Sequence, residues 1–364
     1  MKEKIYITKT YLPPIDEYIS YIEGIWERSQ LTNNGPLVKE LEDRLKNYFK
    51  VKHVFFVCNG TMALQIAIKA LELKGEILTT PFSHVATTSS IVWEDCHPVF
   101  VDIDPQTLNI NPNLIEENIS ENTKAILPTH VYGIPCAVEQ IEKIAHDFHL
   151  KILYDAAHTF GVTYKGKSLV SFGDVSTISF HATKLFHTVE GGAIITNNDK
   201  LAEKIGYMRY FGLKGPSEFW GLGINGNNSE FHAAMGLCVL PKISELIAMR
   251  KKISELYNSY LSINEISHPK IPEQTQNNYS YYPILFRSEE TMLNVLNHLN
   301  ENNVYPRRYF FPNLSKLPYV KYEQTPVAQD IASRVLCLPL SSYLKEKTVK
   351  FISNRILESI THSS

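Results

Sequence analysis

The sequence predicts an α/β protein with a large, mostly parallel, seven-stranded sheet and a smaller C-terminal α+β unit. Three observations carry this. Seven short β-rich runs lie between His53 and Thr196. Amphipathic or small-residue segments of helical length separate most of them, the pattern of a parallel sheet with helices on both faces. After Asn197 the alternation stops, and long helical stretches and short strands take over.

Taken in order, residues 1–35 form an arm and a helix. Pro13 and Pro14 start the helix, and Ile15, Tyr18, Ile19, Ile22 and Ile25 recur at helical spacing. Asn33-Asn34-Gly35-Pro36 is a turn. Leu37, Leu41, Leu45 and Phe49 mark a second amphipathic helix. The predicted strands then run over 53–57, 76–80, 98–103, 125–129, 152–154, 177–180 and 193–196. Helices are expected over 61–73, 86–94, 111–118 and 138–148. Beyond the sheet, helix is expected over 199–207, from Glu230 to near Leu261 with a break at Pro241, and over 291–300, 327–336 and 347–359. A Gly/Asn-rich loop without periodicity, Gly212 to Ser229, separates the first two; such loops inside a compact chain are usually functional. The domain boundary is placed near residue 240: 1–240 holds the arm and large domain, 241–364 the small one.

The stretch Ser179-Phe-His-Ala-Thr-Lys184-Leu-Phe-His-Thr-Val-Glu-Gly-Gly192 sets one lysine between two apolar strands. Buried lysine is expensive unless it is paired, deprotonated or covalently used. Desolvation lowers an amine's pKa and makes it a nucleophile toward carbonyls. About thirty residues upstream, Lys151-Ile-Leu-Tyr-Asp155-Ala-Ala-His158 ends a strand in a carboxylate, where ligands bind in open α/β sheets. A lysine that binds an aldehyde, with an aspartate facing a pyridine nitrogen, is what pyridoxal phosphate chemistry asks of a protein.

Further groups follow strand ends. Cys58-Asn59-Gly60-Thr61 opens a helix, so Gly60 and Thr61 suit either an anion site or a plain helix cap. His84 and Phe82 are aromatics that could stack on a planar cofactor. His130 is either a core histidine or a site residue. His158 could donate to the cofactor's phenolate oxygen, and Ser179 could reach its phosphate. Pro306-Arg307-Arg308-Tyr309-Phe310-Phe311-Pro312 sets aromatics beside two arginines suited to phosphate or carboxylate.

In this order, Asn59-Gly60-Thr61-x-Ala63-Leu64, Tyr154-Asp155-Ala156-Ala157-His158, Ser179-Phe180-His181-Ala182-Thr183-Lys184, Glu190-Gly191-Gly192-Ala193 and Gly223-x-Asn225 before Ala233-Ala234 resemble the DegT/DnrJ/EryC1/StrS sugar aminotransferases. The resemblance spans nearly the whole chain. It implies the fold of aspartate aminotransferase (fold type I), a homodimer with shared active sites, and pyridoxal 5'-phosphate. It implies Lys184 as the lysine that carries the cofactor and Asp155 as the partner of its ring nitrogen. Gly60, Thr61 and Ser179 match phosphate contacts, His158 a group near the phenolate, and His84 the ring-stacking position. Asn225 matches an asparagine given from the other subunit. A histidine at 84 and Gly226-Asn227-Asn228-Ser229 depart from the family's usual residues. The implied reaction moves an amino group from L-glutamate to a nucleotide-linked keto sugar. The substrate nearest the resemblance is dTDP-4-dehydro-6-deoxy-D-glucose, giving dTDP-4-amino-4,6-dideoxy-D-glucose for O-antigen or related amino sugars. His130, Arg307, Arg308 and Tyr309 are the expected substrate contacts. Amination at the sugar's 3-position and UDP- or GDP-sugars are the alternatives within the family.

Composition fits this reading. The chain has 364 residues, 44% hydrophobic and 20% charged, and a net charge of −2. No polyanion-binding surface is implied, so no nucleic-acid partner is expected. Five scattered cysteines without Cys-x-x-Cys predict reduced thiols, a cytoplasmic protein and no metal site. No leader and no membrane partner are expected. A nicotinamide-dependent oxidoreductase lacks its Gly-x-Gly-x-x-Gly after the strand before Gly60.

Overall fold

The computed structural model describes residues 4–361. Its centre is a seven-stranded sheet. Across it the order is His53–Val57, Gly192–Thr196, Val175–Ser179, Lys151–Asp155, Thr123–Leu127, Glu76–Thr79 and His97–Phe100. Gly192–Thr196 is antiparallel to both its neighbours, and the remaining pairings are parallel. The mostly parallel sheet expected from the sequence is therefore present.

Side-chain alternation distributes the sheet between two cores. Phe56, Ile178, Ala193 and Ile195 face one way, onto the helices Pro36–Phe49 and Glu230–Val239. Val57, Val175 and Ile194 face the other, onto Gly60–Ala70 and Asp199–Met208. Pro36 opens its helix at the first turn, where a missing N–H does no harm. The buried Glu230 caps that helix by accepting from Leu37 N (3.0 Å) and Val38 N (2.9 Å).

The C-terminal unit holds the antiparallel strands Ile266–Ser267, Pro283–Phe286 and Val335–Cys337. The helices Ile243–Tyr260, Glu289–Glu301 and Glu346–Thr361 cover them. Helix Ile243–Tyr260 starts in the first core with Ile243 and Leu246 and ends in this one with Ile253 and Tyr257. A further cluster joins Phe82, Ile103 and Val131 to Leu285, Phe310 and Ile331. The arm also ties the units. Ile5 and Tyr6 pair in parallel with Val304 and Tyr305, and Thr10 Oγ1 donates to the Ala182 carbonyl (2.8 Å).

Two expectations are corrected, and the helix break expected at Pro241 is present. Residues 111–118 form two 3-10 turns, Pro112–Leu114 and Glu116–Asn118, because the stretch is too short to sustain a helix and the Asn118 amide bonds back to the Leu114 carbonyl (2.7 Å). The helix expected over 327–336 is Pro326–Arg334, and Val335–Cys337 turns into a strand paired with Pro283–Leu285. The stretch Glu230–Tyr260 is long and apolar enough to cross a membrane by composition. It breaks at a 3-10 turn, Leu240–Lys242, and packs Ala233, Ala234, Leu237 and Leu246 into the core.

Arg209 and Glu42, both buried, form an ion pair beneath the first strand. Glu42 also accepts from Phe56 N (2.7 Å), and Arg209 donates to the Phe56 carbonyl (3.1 Å). Removing one partner leaves an uncompensated charge. Arg209→Met is expected to lower unfolding free energy by about 3–5 kcal/mol, read from urea titration.

Candidate active site

The sheet's pairing register gathers the site. Gly192 lies opposite both Val57 and Ser179, so the ends of two strands and the start of a third meet at one edge. Asp155 ends the strand beside Val175–Ser179, on the same side. A cavity of about 510 Å³ opens there, lined by Gly60, Thr61, His84, Asp155, His158, Ser179, Lys184 and Tyr309 among others. A second cavity of about 460 Å³ shares Tyr281 with it but holds neither Lys184 nor Asp155.

Asp155 is buried and held on both oxygens. Thr87 Oγ1 donates to Oδ2 (2.6 Å) and Ala157 N to Oδ1 (3.1 Å). Thr87 is in turn bonded to Ser83 (2.7 Å), which reaches Thr129 (3.0 Å). Lys184 sits on the loop between Ser179 and Gly192, and its Nζ donates to the Tyr281 hydroxyl (3.2 Å). Burial lowers its pKa below the ordinary lysine value, with Asp155 and then Tyr309 acting in the opposite sense.

Three histidines near the site have lowered pKa values. His158 Nδ1 accepts from Tyr132 N (3.2 Å), which leaves the ring proton on Nε2. Burial, then Lys184, His84 and His130, hold its pKa well below the usual range. His84 caps the helix Val85–Trp93 by accepting from Ala86 N at Nδ1 (3.2 Å), and burial lowers its pKa first, then Lys184. His130 is fully buried, accepts from Cys136 N (3.0 Å) and stacks on Tyr154 with centroids 4.5 Å apart. Burial lowers it to about 3.

The phosphate-like corner depends on missing side chains. A Cβ on Gly192 would stand 2.6 Å from the Asn59 carbonyl carbon, and one on Gly60 would stand 3.0 Å from Ser179 Cβ. The helix Gly60–Ala70 starts at this point, with Asn59 capping Met62 N (2.7 Å), so its first N–H groups face an acceptor site.

Of the residues singled out from sequence, Gly60, Thr61, His84, Asp155, His158, Ser179, Lys184 and Tyr309 line one cavity. Five candidates lie elsewhere in this chain. His130 belongs to the core, since Tyr154 and the Cys136 amide occupy its surroundings. Arg307 is exposed and pairs its backbone with Cys337. Arg308 is taken up by Glu289 (2.8 Å) and the Ser333 carbonyl (2.9 Å), over the Phe311 ring. Asn225 is exposed on the Gly/Asn-rich loop and pairs with Tyr210. Phe82, the other stacking candidate, is fully buried against Tyr132 and Phe310.

The sequence profile of the DegT/DnrJ/EryC1/StrS aminotransferase family matches residues 15–357. The chain belongs to this family. A dTDP-4-amino-4,6-dideoxy-D-glucose transaminase of Shigella dysenteriae is 41% identical over 370 residues, covering 98% of this chain and 100% of that one. A crystal structure of DesI in the presence of its TDP-sugar product superposes with a TM-score of 0.94 at 29% identity, covering 100% of this chain and 94% of that one. NtdA from Bacillus subtilis with bound cofactor PMP gives a TM-score of 0.86 at 28% identity, covering 96% and 81%. The architecture is thus that of fold type I aminotransferases, and the family's cofactor is pyridoxal phosphate.

The residues present fit that group. The glycine-lined corner and helix start suit a phosphate, and the doubly held carboxylate suits a protonated ring nitrogen. The buried amine of Lys184 suits an aldehyde. Sequence reasoning missed Thr87 and Tyr281. Thr87 is announced only by its place on the helix after His84. Tyr281 stands in an aromatic run, Tyr279-Ser280-Tyr281-Tyr282, that reads equally well as core.

The buried histidines make stability acid-sensitive. His130 takes up its second ring proton in the folded state only near pH 3, whereas unfolded it does so below about 6.5. Its contribution is intact above pH 6.5 and is lost as pH falls below it. Between pH 7.5 and 5 the loss from His130 is expected to be about 2 kcal/mol, read from urea midpoints. His130→Phe should flatten that slope.

Proposed function

We propose that this protein transfers an amino group from L-glutamate to dTDP-4-dehydro-6-deoxy-D-glucose, giving dTDP-4-amino-4,6-dideoxy-D-glucose for surface-glycan (O-antigen) assembly in the cytoplasm. The observation that carries the chemistry is the meeting of a desolvated lysine and a clamped carboxylate in one cavity, Lys184 with Asp155. The full-length similarity to the Shigella dysenteriae transaminase supports the choice of sugar.

Each residue then has a task. Lys184 would hold the cofactor through its aldehyde, and its free amine would move the proton at the reacting carbon. Asp155 keeps the ring nitrogen protonated, and Thr87 and Ala157 N keep Asp155 oriented. Bound pyridoxal phosphate supplies the electron sink for this chemistry. His158 would present Nε2–H to the phenolate oxygen, Gly60, Thr61 and Ser179 would receive the phosphate, and His84 would cover the ring. Tyr309 contacts the sugar.

The active form is a homodimer with shared sites. Phe219 (68% exposed) and Leu222 (72%) stand with Phe211, Trp220 and Ile224 on the loop that carries Asn225. An apolar patch of this kind on an ordered loop favours a protein partner. Gly212 has φ +71, and a Cβ on Gly223 would lie 2.0 Å from Gly212 N, so the loop needs both glycines to cross itself. Asn225 of the partner subunit completes the phosphate corner.

Two measurements test this. Adding L-glutamate to the purified yellow protein should abolish the absorbance of the lysine-bound cofactor, and dTDP-4-dehydro-6-deoxy-D-glucose should restore it. Lys184→Ala should lose at least about a thousandfold in turnover while still retaining cofactor. The sugar assignment is wrong if only UDP- or GDP-linked keto sugars restore the band. For the dimer, Lys184→Ala and Asn225→Ala proteins, each nearly inactive alone, should regain activity when mixed and allowed to exchange subunits. No recovery, or elution at the 41.5 kDa of one chain, speaks against shared sites.

A further inference from the structure

Tyr281 comes from the C-terminal unit, yet it is fixed to the loop that follows Asp155. Three residues before it, the buried Asn278 donates to the carbonyls of His158 (2.8 Å) and Phe160 (3.0 Å) and accepts from Ser280 N (3.0 Å). The Ser280 carbonyl accepts from the buried Arg250 guanidinium (3.1 Å). The Tyr281 ring meets His158 edge-on at 4.8 Å and Tyr309 edge-on at 5.9 Å. These contacts leave its hydroxyl aimed at Lys184 Nζ, 3.2 Å away. Burial raises the phenol's pKa, so it keeps its proton and meets the lysine as a neutral oxygen.

The other groups around the amine do different work. Asp155 is held in place by Thr87 and Ala157 N and favours the charged amine from a distance. His84 at the helix start and His158 beside the aspartate have depressed pKa values, with Lys184 among the causes. His181, on the lysine's own loop, is turned to Thr183 (2.8 Å) and Glu190 (3.5 Å). Tyr309 lies on the C-terminal side and also favours the ammonium. A lysine released from a covalent bond has three rotatable donors and a long flexible stem. Without a fixed acceptor it would sample many positions.

We propose that Tyr281 is the positioning residue for the free Lys184 amine: its hydroxyl oxygen accepts a hydrogen bond from Nζ whenever the lysine is not joined to the cofactor, which holds the amine over the cavity and favours its protonated form. The assignment rests on reading Lys184 as the group that moves the proton. It gives the C-terminal unit a direct hand in that transfer, because the acceptor oxygen arrives from across the unit boundary.

The test uses the full-length chain freed of cofactor, so that it stands apart from turnover and from the identity of the sugar. Acetic anhydride labelling of Lys184, followed by mass spectrometry across a pH series, gives the midpoint at which the amine becomes reactive. Tyr281→Phe keeps the ring and removes the acceptor; the midpoint should fall by about one pH unit, the worth of a hydrogen bond to a charged donor. Tyr281→Gln, which returns an acceptor oxygen, should bring the midpoint back toward that of the unaltered protein, which a loss of packing alone would not do. In the loaded enzyme Tyr281→Phe should lower kcat about tenfold with KM for glutamate nearly unchanged. A midpoint in Tyr281→Phe equal to or above that of the unaltered protein overturns the proposal, whatever happens to activity. Should the phenylalanine protein fail to fold, the glutamine variant decides: it must keep the unaltered midpoint, and a lowered one overturns the proposal.

Discussion

The site depends on how closely two strands and a helix start can approach one another. Gly192 pairs with Val57 on one side and Ser179 on the other, and the Asn59 carbonyl carbon occupies the space a side chain would need. Only a bare backbone permits this. From that contact follow the direction of the helix Gly60–Ala70, the meeting of its N-terminus with Ser179, and the span of the loop carrying Lys184. The antiparallel strand Gly192–Thr196 is the exception in a mostly parallel sheet. Its reversed direction brings its start, rather than its end, to the functional edge.

Electrostatically the pocket combines one clamped anion with one desolvated cation and neutral rings around them. Asp155 has hydrogen bonds to both oxygens, while burial and then the Lys184 charge lower the pKa values of His84 and His158. A histidine at 84 can serve as a flat neutral surface because its Nδ1 is committed to the backbone of the helix it caps.

The sheet was legible because a strand buried on both sides must be apolar throughout, and the helices between strands carry matching faces. Asp155 at a strand end and Lys184 in the loop between two apolar strands were legible because ionisable residues stand out against such runs. Tyr281 was not, since an aromatic among aromatics gives no sign of whether it faces a core or a cavity. Arg308 misled for the converse reason: its pairing with Glu289 and Ser333 is set by the helix Glu289–Glu301 and the residue before Arg334, none of them adjacent in sequence. The strand Val335–Cys337 was hidden by the helix it continues, because its identity comes from pairing with Pro283–Leu285. His130 shows the limit of position as a guide, since it follows a strand yet turns into the core.

The N-terminal arm links parts that are distant along the chain. It is paired with Val304–Tyr305, its Ile7 carbonyl receives Leu340 N (2.9 Å), and it then meets the lysine loop through Thr10 with Ala182 and through His187, whose Nε2 donates to the Tyr11 carbonyl (2.6 Å). Mechanically this is a tie-rod: one end is anchored in the C-terminal unit and the other bears on the backbone on either side of Lys184. A displacement of that unit is transmitted to the lysine's support as tension along the seven residues from Ile5 to Tyr11, with no need for the large sheet to deform.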